Sequence, residues 1–197
     1  MDITSYLLGK NSGGGGGGGS LDWAALGYNS TPQAIIDGYN YAKQIQENWV
    51  PATSLSSKFS NDEKLKYMPL VDTTIATNMY QTFYACHCLQ AVPVLDTSNV
   101  QNMRETFSYC TELTTMPILN LKSCTTSYSL YNMFYGTTNF SDEALDNILQ
   151  MCPTATLYEG SKTLTRLGIL STNYPATRIQ ALPHYQAFID AGWTIGY

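Results

Sequence analysis

"LKYMPLVDTTIATNMYQTFYACHC" (65–88) is followed directly by "LQAVPVLDTSNVQNMRETFSYCTE" (89–112). The two stretches are in register at a spacing of 24 residues. Leu65, Leu89 and Leu113 align, as do Pro69, Pro93 and Pro117. Asp72 and Asp96 align with Asn120, Met79 with Met103, and Phe83 with Phe107. A third copy, "LTTMPILNLKSCTTSYSLYNMFYGTTN" (113–139), carries three extra residues before Leu130 and resumes with Phe134 and Phe140. A partial copy precedes all three, because Leu55, Phe59 and Leu65 sit 24 before Met79, Phe83 and Leu89. The pattern [Leu/Met]-x3-Phe-x5-[Leu/Phe] therefore occurs four times.

A fixed period of this size predicts a solenoid, in which each unit buries its apolar side only against its neighbours. The expected unit is a short strand at Leu-x-x-[Met/Val]-Pro, a turn opened by Asp or Asn, and a helical turn at Asn-Met-x-x-x-Phe. Asp72 and Asp96 each precede Thr, where such side chains cap turns through nearby backbone N–H groups. Proline after the strand residues stops longer ladder pairing there. The fold class expected is an α/β (α+β) solenoid of short leucine-rich-type repeats of 24 residues, with helical N- and C-terminal caps.

Outward from the repeat, Thr31-Pro32 reads as a helix start, with Thr as N-cap and Pro at the first position. That helix is expected to run to about Asn48, with Ile35, Tyr39, Ala42, Ile45 and Trp49 on one apolar stripe. A shorter helix is expected from Ser20 through Leu26, ended by Gly27. On the other side, "SDEALDNILQMC" (141–152) reads as a helix capped by Ser141. "AGWTIGY" (191–197) suggests a turn at Gly192 and a final strand. The chain thus divides into an anchor peptide 1–10, a Gly-rich linker 11–20, a helical cap 21–54, repeats 55–140 and a C-terminal capping region 141–197. Gly13 to Gly19 would span about 15 Å as a flexible tether. Residues 1–10 read either as a disordered tail or as an anchor. The apolar group of Ile3, Leu7 and Leu8 favours the anchor.

Composition narrows the function. Charged residues are only 13%, and Lys+Arg 10 against Asp+Glu 15 gives a net charge of -5. A protein that grips nucleic-acid backbones would be basic, so no nucleic-acid partner is expected. The start "MDITSYLLGK" has no basic n-region or long apolar h-region, so no export signal is expected. No run reaches the ~18 to 20 apolar residues of a membrane span, and no lipidation box is present. Five cysteines are an odd number, which favours reduced, buried thiols over a disulfide framework.

Catalytic chemistry finds little purchase. Cys86-His87-Cys88 is the one cluster that suggests a metal, but a single intervening residue is not a zinc-ligand spacing. Cys86 recurs as Cys110 at the same repeat position, which favours an inward structural ladder, with room left for one disulfide. The two histidines, His87 and His184, have no partner pattern for a cysteine nucleophile. The polyglycine is not followed by Lys-Ser/Thr, so it is not a phosphate loop. No cofactor, no metal and no catalytic residue is expected. What remains is a surface. Tyr80, Tyr84, Tyr109, Tyr128 and Tyr135 crowd the repeat, and tyrosine is a favoured contact residue. They read equally as a binding face or as closing the convex side of the repeat.

"VPVLDTSNVQNMRETFSYCTELTTMP" (92–117) resembles the BspA-type leucine-rich repeats of bacterial surface proteins. That resemblance spans about Leu55 to Phe140 and implies adhesion or host binding. The ends, "YLLGK" before polyglycine and "YQAFIDAGWTIGY" (185–197), resemble virion-associated proteins of tailed bacteriophages from gut bacteria. Together the resemblances imply a non-enzymatic virion structural or adhesion protein, assembled in the host cytoplasm as a fibre-like, decoration or tail-associated module. It would join other virion proteins through residues 1–10, form a homo-oligomer and meet a host surface protein or glycan. The alternative is a bacterial surface or secreted leucine-rich-repeat adhesin.

Overall fold

The computed structural model describes residues 32–126, 128–157 and 162–196. The expected anchor residues Ile3, Leu7 and Leu8, the linker 11–20 and the helix expected at 20–26 lie outside the described residues. Helix α1 spans Pro32–Glu47. Proline suits the first helical position, since the N–H it lacks would have had no partner there. Ala42 is fully buried, and Tyr41 and Ile45 pack on the core with Trp49 just beyond the helix. The Trp49 indole N–H donates to the Asp72 carbonyl at 2.8 Å, tying the helix end to the first turn of the repeat.

The α/β solenoid of strands and helical turns is not what forms. Among the described residues there is no strand and no sheet, and between residues 48 and 141 there is no helix. Parallel pairing is confined to isolated bridges such as Ser54–Asn78, Tyr67–Ala91 and Asn78–Asn102. At the expected strand, Met68 N–H donates to Ala91 O and Gln90 N–H to Lys66 O, and the pairing stops. Pro69 and Pro93 follow at once and have no N–H to extend it.

The expected helical turn at Asn-Met-x-x-x-Phe is replaced by overlapping tight turns. Thr82 N–H bonds Met79 O, Tyr84 N–H bonds Gln81 O, and Cys86 N–H bonds Phe83 O. The reason is visible in the backbone: Gln81 has φ 53° and Ala85 φ 55°. Left-handed residues end a right-handed helix. The same positions are left-handed in every copy, at Ser57 and Asn61, at Glu105 and Tyr109, and at Asn132 and Gly136. Only the last of these is glycine, the residue that adopts this region at least cost.

Between the turns, alternate N–H groups reach the next copy. Met79, Gln81, Phe83 and Ala85 donate to the carbonyls of Asn102, Arg104, Thr106 and Ser108 at 2.8 to 3.1 Å. Residues 55, 57, 59 and 61 donate in the same way to 78, 80, 82 and 84. Each copy therefore lies on the next with its side chains in register. Phe59, Phe83, Phe107 and Phe134 stack at ring-centroid distances of 5.5, 5.2 and 5.9 Å. Trp49 extends the column at one end, Phe140 and Tyr174 at the other. The Asx turns read from the sequence are present: Asp72, Asp96 and Asn120 accept from the N–H of Thr74, Ser98 and Lys122.

Beyond the copies, Ser141 caps helix α2, Asp142–Met151, by accepting from Ala144 N–H at 3.1 Å. Ala144, Leu145, Ile148, Leu149 and Met151 face inward. Two short 3-10 turns (Cys152–Thr154 and Thr165–Leu167) and two short helices, α3 (Ala176–Gln180) and α4 (Tyr185–Asp190), complete the described C-terminal part. The expected final strand does not form among the described residues 191–196. Gly192 does turn, with φ 82°, but only one bridge follows, Thr163–Thr194.

Two outcomes follow for stability. Phe107→Ala removes a fully buried ring between two stacked neighbours and should cost about 3–5 kcal/mol in denaturant unfolding. The Asp72 carboxyl lies below its ordinary value of 3.8 because it accepts from the Thr74 hydroxyl and N–H, and Asp96 does so through the Ser98 N–H and hydroxyl. A depressed folded pKa stabilises the fold above 3.8 and is lost as pH falls through the lowered value. The unfolding midpoint should therefore fall with acid, and less steeply in the Asp72→Ala/Asp96→Ala double variant.

Candidate binding face

The overlapping turns put a partly exposed side chain of each copy at the position of Tyr80. The position of Tyr80 is filled by Arg104 in the next copy and by Tyr131 in the one after. The Arg104 guanidinium lies 5.8 Å from the Tyr80 ring and 5.5 Å from the Tyr131 ring. Asn132 N–H donates to Arg166 O, which brings the Thr165–Leu167 turn alongside this copy. The Arg166 guanidinium is 5.4 Å from Tyr131 and 5.6 Å from Tyr128. The result is an alternating ladder, Tyr80–Arg104–Tyr131–Arg166–Tyr128, containing two of the chain's three arginines. Cation–π contacts of this kind contribute about 0.5–1 kcal/mol each at exposed sites.

A second row runs beside it. Tyr84, Tyr109 and Tyr135 pack edge to face at 5.5 and 5.4 Å. The left-handed backbone holds Tyr109 here, and its ring lies where a Cβ on Gly136 would stand. Burial pushes the Tyr109 phenol up from its ordinary value, with its two tyrosine neighbours adding to the shift. Between the rows, Arg104 Nε donates to Glu105 Oε1 at 2.9 Å and Gln81 Nε2 donates to Glu105 Oε2 at 2.7 Å. The Glu105 hydrogen bond holds Arg104 more firmly protonated than usual.

Every tyrosine singled out by sequence is in these rows, though on tight turns rather than helical ones. Tyr80 and Tyr84 are half-buried, Tyr109 and Tyr135 are 37% and 38% exposed, and Tyr128 is 64% exposed. Sequence reasoning passed over Arg104, Glu105, Gln81, Tyr131 and Arg166. The 24-residue alignment of Tyr80 with Arg104 was the available signal for the first. The three extra residues of the third copy matter here. Cys124 Sγ still bonds Val100 O at a separation of 24, whereas Met103 N–H bonds Ser129 O. The insertion thus falls between 124 and 129, where Tyr128 stands.

The cysteines are structural in placement. Cys86 Sγ donates to Phe59 O at 2.9 Å and Cys110 Sγ to Phe83 O at 3.1 Å, the same bond one copy apart. Burial pushes the Cys86 and Cys124 thiols up to about 12, and Cys110 and Cys152 well above the ordinary value. Cys88 is half-buried and His87 exposed. Among the described residues no three His, Cys, Asp or Glu side chains gather as a metal site. No helix among them is long and apolar enough to cross a membrane.

A thiolate is the reactive species, so buried thiols of raised pKa react slowly. Iodoacetamide at neutral pH should modify Cys88 first, and the remaining four of the five cysteines only after unfolding, as read by peptide mass spectrometry.

Compared with known proteins, residues 53–163 match the family described as "Mycoplasma protein of unknown function, DUF285". No curated protein and no solved structure matches the chain significantly.

Proposed function

The chain belongs to the family described as "Mycoplasma protein of unknown function", and for this member we propose a non-enzymatic display and adhesion module carried on a bacteriophage particle. The observation that carries the reading is the Tyr/Arg ladder: aromatic and guanidinium groups alternate along one partly exposed face, with Tyr128 its most exposed member. A rigid body bonded copy to copy holds those groups at little further entropic cost, which is what a contact surface needs. On that face Arg104 pairs with Glu105, whose second oxygen accepts from Gln81 Nε2. In this reading residues 1–10 anchor the module through Ile3, Leu7 and Leu8, the glycines tether it, and several copies stand on each particle as a homo-oligomer. The virion part of the reading rests on the likeness of the two ends to phage virion-associated proteins.

One observation favours a second reading, a bacterial surface adhesin: the family is described from a bacterial genus. The two readings separate by fractionation. The first expects the protein in purified virions by mass spectrometry, and expects deletion of residues 1–20 to abolish its incorporation. Recovery only with the bacterial envelope would sink it in favour of the second, and incorporation unchanged by the deletion would overturn the anchor role of residues 1–10.

A further inference from the structure

We propose that the extended run at the start of each copy is a self-association face, on which a second copy of the chain lies end for end. This rests on the display reading above, which stands several copies on each particle, and it names where they meet. Residues 70–74, 94–98 and 118–122 stack one on the next: Thr73 Oγ1 donates to Asp96 O at 2.9 Å, and Thr97 Oγ1 to Asn120 O at 2.8 Å. Within each run the side chains alternate. Val71 and Thr73, Leu95 and Thr97, and Leu119 and Leu121 are buried, while the residues between them are not. The first outward position is aliphatic in all three copies: Leu70, Val94 and Ile118 are 41%, 66% and 45% exposed. Six large aliphatic side chains are exposed among the described residues, and three of them make this one row. They stand outside the core, so the fold itself does not call for them. A continuous apolar row left in the open marks an interaction site.

Charge argues for what covers it. Asp72 and Asp96 border the row and repel one another. Asn120 takes their position in the third copy, and Lys122 stands next to it. The face is therefore negative at one end and positive at the other. A second copy turned end for end lays aliphatic row on aliphatic row and brings each Lys122 toward the aspartates of the other. One patch is used twice, and the contact closes at two copies. Both charges are available for it. Neither Asp72 nor Lys122 has an ion pair among the described residues, and the turn occupies only Oδ1 of Asp72.

The test is sedimentation equilibrium of the purified full chain, up to about 100 μM. A monomer–dimer equilibrium is expected. Val94→Lys sets an ammonium against the apolar row and should raise the dissociation constant by about tenfold or more. Lys122→Glu should raise it too, and Tyr128→Ala should leave it unchanged. Unfolding midpoints equal to wild type show that the variants fold; should Val94→Lys not fold, Ile118→Lys makes the same test. Orientation is read by disulfide crosslinking in a Cys88→Ser background under a mild oxidant. Leu70→Cys chains mixed with Ile118→Cys chains should join to one another, and Leu70→Cys chains alone should not join. A chain that stays monomeric, a dimer that both lysine variants leave intact, or Leu70→Cys chains that join among themselves overturns the proposal. A monomer still found in virions sinks this interface alone. A dimer absent from virions keeps the interface and sinks the display reading.

Discussion

The structure hangs on one repeated interaction, the backbone N–H of one copy donating to a carbonyl of the next. Met79, Gln81, Phe83 and Ala85 make it toward 102–108, and Met103, Glu105, Phe107 and Tyr109 make it toward 129–135. Each such bond contributes only about 0.5–1.5 kcal/mol net. Their regular placement does more, because it fixes the register of everything else. Once the backbone is locked at an offset of 24, every inward side chain must meet its own equivalent. Hence the phenylalanine column, and hence buried polar groups that repeat the same bond. Thr82 bonds Leu55 O, and Thr106 bonds Met79 O. Cys86 and Cys110 do likewise with Phe59 O and Phe83 O.

That constraint also explains where a copy can vary. A lengthened copy must absorb its extra residues without disturbing the bonded run. The third copy holds its offset of 24 as far as Cys124 and resumes the run at Ser129. From there Phe107 meets Phe134, and Glu105 N–H meets Tyr131 O, as in the shorter copies. The surplus is pushed outward, and Tyr128 with it. The most exposed aromatic of the candidate face is therefore a by-product of protecting the core.

The period, the register and the buried positions were legible in the sequence, because they depend only on which residues recur. So were helices α1 and α2, which carry ordinary start signals at Pro32 and Ser141. The local conformation was not. Met79 and Phe83 are four apart, a spacing that marks one face of a helix. A run whose side chains alternate in twos puts the same pair on one face as well, so periodicity could not separate the two. The deciding feature is a positive φ at Gln81, Ala85, Glu105 and Tyr109. None of these four is glycine or asparagine, and the signal stood only in the outer copies, where Asn61, Asn132 and Gly136 fill the same positions. The candidate face was half legible for the same reason. Its tyrosines stood out by kind and Arg104 by alignment, but Arg166 lies outside the repeat and reaches the ladder only through the folding of the C-terminal part.

The direction of the bonds makes the two ends of the body unlike. In the run 55–61 and its equivalents, N–H groups face the following copy and carbonyls face the preceding one. The last copy must therefore find acceptors outside the repeat, and it does: Asn132 N–H bonds Arg166 O and Phe134 N–H bonds Leu167 O. Phe134 is fully buried, so an orphaned donor there would cost about 1–3 kcal/mol. The Thr165–Leu167 turn is thus needed for stability as well as for placing Arg166 on the face. At the opposite end the carbonyls of Ser54, Ser56 and Lys58 belong to exposed residues, where a carbonyl needs no protein donor. One end is closed by the Thr165–Leu167 turn and the other by helix α1, with Trp49 on Phe59 and Lys58 over the indole. The asymmetry follows from bond polarity, and it sets the Arg166 end of the ladder where the repeat's donors need acceptors.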